Sequence, residues 1–445
     1  MARRTLLEEL RAGNIPSLIQ KLALEEGLET EELAQAMMRG TAVVPYNIVR
    51  SIARPCVIGA GTRIKVNANI GTSSDYVGMK EELAKLQAAV EAGSDTVMDL
   101  STGGPLDRVR EALVTGSPLP LGSVPIYQAA VRAQQERGSI VAMTREDIFG
   151  AIEDHCASGV DFITVHCGVT MDVLETLKAN PRVADIVSRG GAFLAGWILY
   201  HGMENPLYSD FDQLLDIARR YEVTLSLGDG LRPGCIEDAS DAAQLDELVV
   251  LGELVNRCRE AGVQCMVEGP GHVPLHEVEA NVRMAKGITR DAPFYVLGPL
   301  VTDVAAGYDH IAAAIGGAMA GLAGADFLCY VTPREHLGLP TAQDVREGVM
   351  ASRIAAHAVD IARGLPVAKE LDLRMSRARK ALDWKKQMEL ALDPVKASRL
   401  FGERQVEGET ACTMCGDFCA MRFIAEYLDH AESQASDVES FKGKK

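Results

Sequence analysis

Three cysteines fall within one short run, Cys412-Thr-Met-Cys415-Gly-Asp-Phe-Cys419. Three thiolates in such a loop can hold three irons of a four-iron, four-sulfur cluster. The fourth iron is then open to bind a small molecule and pass it an electron. The same spacing suits a structural zinc ion, which needs a fourth ligand to close its tetrahedron, and His430 is near enough in sequence to supply one. Core packing does not account for three cysteines on a polar tail. A metal is therefore expected, and spacing alone leaves cluster and zinc both open.

Other residues have the types that chemistry uses. His272 and His336 could form a second metal site. Two neutral imidazoles suit zinc or ferrous iron and leave coordination positions for substrate. Glu268, four residues before His272, has the character of a general base. Ser188-Arg189-Gly190-Gly191 and Asp229-Gly230-Leu231-Arg232-Pro233-Gly234 read as anion-binding loops. Glycine lets backbone N–H groups approach phosphate oxygens, and arginine adds a charged fork. Together they point to a phosphorylated small molecule.

These residues need elements to position them. From about residue 61 to 365, short apolar runs alternate with helix-like segments. The runs are 64–70, 96–100, 123–127, 162–166, 192–197, 224–227, 264–267, 294–297 and 327–331. Helical periodicity marks 80–92, 145–157, 210–220, 242–261 and 341–363. Such alternation implies a parallel sheet with right-handed crossovers, and the number of units fits a closed (β/α)8 barrel. Asn69, Met98, Asp99, Tyr127, His166, the Ser188 and Asp229 loops, Glu268, His272 and His336 then gather at strand ends. In a barrel, strand ends converge on one rim, and an active site is expected there.

Residues 1–60 are expected to form an N-terminal domain, helical to about Arg39. The barrel spans 61–365, a charged helical segment 366–403, and a metal-binding arm 404–445. Residues 403–410 read as a linker, 421–431 as an amphipathic stretch and 432–445 as a frayed end. The apolar stretch 311–325 is too short for a membrane span and is expected to be a tightly packed internal helix. The 445 residues carry a net charge of -17, which argues against nucleic acid as the main partner. No membrane association is expected. The ten cysteines are spread through a long chain, and no extended apolar run follows the two N-terminal arginines, so a reducing cytoplasm is the expected setting, with most cysteines buried.

The motifs Asn67-Ala-Asn69-Ile-Gly, Val97-Met98-Asp99-Leu-Ser-Thr-Gly, Val124-Pro-Ile-Tyr127-Gln, Ser188-Arg-Gly-Gly, Gly228-Asp-Gly-Leu-Arg-Pro-Gly, Glu268-Gly-Pro-Gly-His272-Val-Pro, Gly307-Tyr-Asp-His and Tyr330-Val-Thr-Pro-Arg-Glu-His336-Leu-Gly-Leu-Pro resemble those of the phosphomethylpyrimidine synthase family. The likeness runs from about residue 40 to 423. It implies a (β/α)8 barrel and a homodimer in which each C-terminal arm carries a 4Fe-4S cluster to the partner's active site. It implies reductive cleavage of S-adenosylmethionine, fed by an external donor of flavodoxin or ferredoxin type. The resulting 5′-deoxyadenosyl radical rearranges 5-aminoimidazole ribotide into the hydroxymethylpyrimidine phosphate of thiamine. Asn69, Met98, Tyr127, His166, Ser188, Arg189, Gly190, Asp229, Gly230, Leu231, Arg232, Glu268 and Tyr295 would line the ribotide site. His272 and His336 would hold zinc or ferrous iron, and Cys412, Cys415 and Cys419 the cluster.

The chain departs from the family's usual pattern in three places. It has one residue fewer between the second and third cysteines than the family's long members, Ala306 in place of the usual proline, and Pro45-Tyr46-Asn47-Ile48 in a stretch of different composition. A related family, 5-hydroxybenzimidazole synthase, uses the same ribotide, cluster and cofactor to make the lower-ligand base of cobalamin, and these residues fit both products. A third reading, of another class, is a zinc-stabilised, non-redox barrel protein.

Overall fold

In a computed structural model the described residues are 4–405, 411–425 and 427. The chain divides into two compact units at Arg363 and Gly364.

The first unit is built on a closed parallel barrel. Its strands are β1 (Lys65–Ile70), β2 (Thr96–Asp99), β3 (Leu121–Ser123), β4 (Phe162–Val165), β5 (Thr224–Leu227), β6 (Cys265–Gly269), β7 (Phe294–Leu297) and β8 (Phe327–Cys329). Each pairs with the next, and β8 closes on β1 through Phe327 opposite Lys65. The register sets Asn69 beside Met98, Thr164 beside Ser226 and Glu268 beside Tyr295. Strands buried on both faces read as near-continuous apolar runs, which is why the sequence shows them.

Two expected strands differ. Residues 192–197 lie within the helix Arg189–His201. Leu194, Ala195, Trp197 and Ile198 are buried while Leu199 and Tyr200 are exposed, a helical face rather than an alternating one. A short apolar run cannot be assigned by periodicity alone. The third strand ends at Ser123, and Pro125 opens the helix Pro125–Arg137. Proline suits a first helical position because the N–H it lacks has no partner there. Tyr127 therefore projects from a first helical turn.

The helices Arg145–Ala157 and Ala242–Ala261 have the expected bounds. The apolar stretch near 311–325 forms the helix Asp309–Ala323, but it is not internal. Gly316 and Gly321 pack against Pro299 and Val359, while Ile311, Ile315 and Leu322 are about half exposed. No helix among the described residues is long and apolar enough to cross a membrane.

The helices Leu6–Arg11, Ser17–Glu26 and Thr30–Arg39 pack a small apolar cluster around Ile19, Leu22, Leu33 and Met37. The strap that follows binds the barrel at the starts of its strands. Asn47 donates to the carbonyls of Cys156 and Val160, and Arg50 pairs with buried Asp161. The unusual stretch at 45–48 thus serves the end of the barrel opposite the strand C-termini.

The second unit contains the helices Pro366–Lys380, Trp384–Leu390 and Pro394–Gly402, followed by the cysteine loop. Residues 406–410, 426 and 428–445 lie outside the described ones. With them go most of the expected linker, part of the amphipathic stretch, the expected frayed end and His430.

Candidate active site

At the C-terminal ends of the strands, a cavity of about 480 Å³ is lined by Asn69, Met98, Tyr127, His166, Asp229, Arg232, Glu268 and Tyr295, with Leu100, Val124, Val296 and Leu297 among its apolar walls. All eight of those polar, aromatic and sulfur-bearing residues were expected from the sequence. A larger opening of about 1030 Å³ shares Asn69 and Leu100 with it and adds Arg189, Glu335 and His336.

Glu268 ends β6. Its Oε1 accepts from Thr164 Oγ1 at 2.8 Å and Ser226 Oγ at 2.7 Å. Thr164 and Ser226 sit on neighbouring strands and turn into the barrel, so the two hydroxyls orient the carboxylate. Burial raises the Glu268 carboxyl, against the pull of those hydroxyls and of Arg232. Asp229 Oδ1 takes Arg232 Nη1 at 3.1 Å, and burial pushes this carboxyl well above its usual range. Burial also lowers His166 to about 3, so its ring is neutral. His166 Nδ1 and Asp229 Oδ2 are buried without a hydrogen-bond partner. Buried polar atoms are rarely left so, and their presence in a cavity wall marks where a ligand bonds.

A second network fixes the opposite wall. Asn67 donates to Asn69 Oδ1 and to Tyr295 Oη, each at 2.7 Å, and accepts from Thr96 at 2.7 Å. Asn69 Nδ2 reaches Cys329 Sγ at 3.0 Å. Asn67, Thr96, Thr164, Ser226 and Cys329 were not singled out from the sequence. Their signal is a polar residue inside an apolar strand, at a position whose side chain turns inward.

The two glycine-rich loops behave differently from expectation. Ser188 caps the helix Arg189–His201, its Oγ accepting from Gly191 N. Gly190 abuts His166, and a Cβ there would lie 2.2 Å from the ring. Arg189 is exposed, with its guanidinium 5.0 Å from the centroid of the Tyr127 ring. In the second loop, the N–H groups of Gly230 and Leu231 are already taken by Glu247. The Leu231 side chain is fully buried in an apolar cluster with Val173 and Ala243. Asp229 and Arg232 are the members of that loop that line the cavity.

His272 and His336 are brought together, with ring centroids 5.3 Å apart. His272 Nδ1 lies 2.7 Å from Asp303 Oδ1 and His336 Nδ1 lies 3.2 Å from Asp309 Oδ1. A carboxylate on Nδ1 fixes the tautomer and leaves the Nε2 lone pair for a metal. The donor set therefore fits zinc or ferrous iron. The aspartates were not identified as partners from the sequence, because neither adjoins its histidine in the chain.

In the second unit the cysteine loop is a tight turn. Gly416 N donates to Cys412 O at 3.0 Å, and Gly416 has φ +51°. All three cysteines are free thiols, Cys415 exposed and Cys419 buried. Their chemistry suits an iron–sulfur cluster, although among the described residues no three His, Cys, Asp or Glu side chains converge as a metal-binding set. Cys56, Cys156, Cys167, Cys258, Cys265 and Cys329 are buried, as expected of small hydrophobes.

The chain is 58% identical to a phosphomethylpyrimidine synthase of Desulforamulus reducens over 418 residues, 94% of this chain and 97% of that protein. It is 59% identical to the synonymous enzyme of Moorella thermoacetica over 424 residues, 95% and 98% of the two chains. One from Dehalococcoides mccartyi is 57% identical over 424 residues, 95% of this chain and 98% of that protein. The model of the Radical SAM ThiC family matches residues 5–426, and the chain belongs to that family.

Proposed function

We propose that this protein is a phosphomethylpyrimidine synthase, which uses S-adenosylmethionine to rearrange 5-aminoimidazole ribotide into 4-amino-5-hydroxymethyl-2-methylpyrimidine phosphate. The observation that carries the reading is the convergence of Asn69, Met98, Tyr127, His166, Asp229, Arg232, Glu268 and Tyr295 on one cavity at the barrel rim, with two buried polar atoms lacking partners. The relatives' names favour the pyrimidine product over hydroxybenzimidazole. A cluster held by Cys412, Cys415 and Cys419 supplies, when bound, the electron that cleaves S-adenosylmethionine to a 5′-deoxyadenosyl radical.

The chain's own groups do the rest. Arg232 and Arg189 offer charge to the ribotide phosphate. Neutral His166 presents Nδ1 to a polar atom of the substrate. Asp229 and Glu268 share the cavity, and burial raises both carboxyls, Asp229 well above its usual value, which suits them to exchange a proton with the imidazole nitrogens. The apolar wall keeps solvent away from a carbon radical. His272 and His336 hold the second metal. The homodimer with exchanged arms and the external electron donor belong to the same proposal, which makes the enzyme a carbon–carbon lyase.

Reduced enzyme reconstituted with iron and sulfide should release 5′-deoxyadenosine in a ribotide-dependent manner; none above a ribotide-free control contradicts the reading. Gly190→Ala should displace the His166 ring and lower kcat/KM by roughly 100-fold, the order expected for a misplacement of about 1 Å. Unchanged kinetics would show that the ring tolerates the methyl group. Asp303→Asn should weaken divalent-metal binding by about 10–100-fold, read as metal retained after dialysis against a chelator. Equal retention would mean that Asp303 does not orient His272.

A further inference from the structure

Glu247 stands in the second turn of the helix Ala242–Ala261 and is 2% exposed. Its two carboxylate oxygens accept from Gly230 N at 2.8 Å and Leu231 N at 2.7 Å. The same loop is tied from the other side. Arg182 Nη2 donates to Leu231 O at 2.7 Å and pairs with Asp241, the residue that caps the helix carrying Glu247. Gly230 is wedged among Val169, Glu247 and Gly191, where a Cβ would lie 2.3 Å from the valine and 3.1 Å from Glu247 Oε1. The contact passes onward, since Gly191 abuts Gly230 and its neighbour Gly190 abuts the His166 ring.

Adjacent backbone N–H groups in a glycine-containing turn make an anion site. Here the anion is the chain's own carboxylate. Burial pushes that carboxyl up to about 7, opposed by the two N–H bonds and by the charges of Arg182 and Arg232. A buried carboxylate is costly unless its bonds are needed. These bonds fix the backbone from which Asp229 and Arg232 enter the cavity.

We propose that Glu247 is a positioning residue for the ribotide site: its carboxylate fills the anion site of the Asp229–Arg232 loop, so that loop meets the substrate through its two charged side chains and not through the N–H groups of Gly230 and Leu231. The proposal rests on the ribotide reading given above. It divides the two glycine-rich loops by role. The substrate phosphate takes its backbone contacts elsewhere, and the second loop is a rigid mount whose anchor lies outside the cavity.

The test uses the reconstituted full-length enzyme without reductant, so that ribotide binds and is not consumed. Glu247→Gln retains one acceptor oxygen and sets an NH2 group against a backbone N–H. The ribotide Kd should rise about tenfold or more, the loss of one charge-assisted hydrogen bond expressed as affinity. In turnover, the loss should fall on KM more than on kcat. An unchanged Kd in the folded variant overturns the proposal.

Should the variant fail to fold, amide hydrogen exchange of the wild-type enzyme decides. Peptides containing Gly230 and Leu231 should be strongly protected before ribotide is added and gain little protection afterwards. A large gain on ribotide addition would mean that the phosphate takes those N–H groups, and would overturn the assignment. If the wild-type enzyme does not bind ribotide at all, it is the functional reading that fails, while protection in the free enzyme still reports on the Glu247 contact.

Discussion

Cys415→Ala is expected to reduce 5′-deoxyadenosine formation below detection while leaving the barrel folded. Cys415 is exposed and sits in the turn that joins Cys412 to Cys419. It has no part in the apolar core around the barrel strands. Its loss leaves two thiolates, too few for a cluster that already has an open iron. The expected variant is pale and low in iron and acid-labile sulfide, with a thermal unfolding curve like that of the wild type. Continued formation of 5′-deoxyadenosine would remove this cysteine from the chemistry. Wild-type protein that purifies anaerobically without colour and with stoichiometric zinc at the arm would instead favour a non-redox barrel protein.

Glu268→Gln is expected to lower turnover by roughly 10²–10⁴-fold, the range for a positioned proton-transfer group. It should also stabilise the protein at alkaline pH. Burial raises this carboxyl in the folded state, so folding favours its protonated form. The stability that this group contributes is therefore complete below the unfolded carboxylate value, about 4.3. It is lost as pH rises through the higher folded value. Glutamine does not ionise and avoids that loss. The difference in melting midpoint between variant and wild type should thus be small in acid and grow in the variant's favour as pH rises. The amide oxygen can still accept from Thr164 and Ser226, which keeps the mount intact. A variant less stable than wild type at alkaline pH would contradict this account of Glu268.

The pairing of loss and gain follows from what a functional carboxylate costs. Two carboxylates, one arginine and a neutral histidine share a buried cavity, and burial acts against the ionised form of each carboxylate. A sequence selected for stability alone would not leave Asp229 Oδ2 and His166 Nδ1 without partners.

Much of the site is visible in the chain because a parallel barrel writes its geometry locally. A buried strand is an apolar run, and the polar residue that ends it must lie on the rim. Asn69, His166, Asp229 and Glu268 follow from that rule. Tyr127 reaches the same cavity from a helix, and its location was inferred through a strand that ends four residues earlier. The run 192–197, inside the helix Arg189–His201, reads as a strand because it is short, apolar and preceded by glycine.

The supporting groups are hidden for another reason. Glu247 lies on a helix whose sequence shows charges at intervals, as any surface helix does, and its partners are sixteen and seventeen residues away in the chain. Asp303 lies thirty-one residues from His272. Such pairings depend on how elements pack, which periodicity does not encode.

The identity of the product distinguishes the two syntheses that this ribotide site could serve. Reduced, reconstituted enzyme should be incubated with 5-aminoimidazole ribotide and S-adenosylmethionine, and the new species identified by mass and by the retention of label from the ribotide. The expected species is 4-amino-5-hydroxymethyl-2-methylpyrimidine phosphate, formed together with 5′-deoxyadenosine. Hydroxybenzimidazole in its place, or ribotide recovered unchanged from enzyme that carries its cluster, would contradict it.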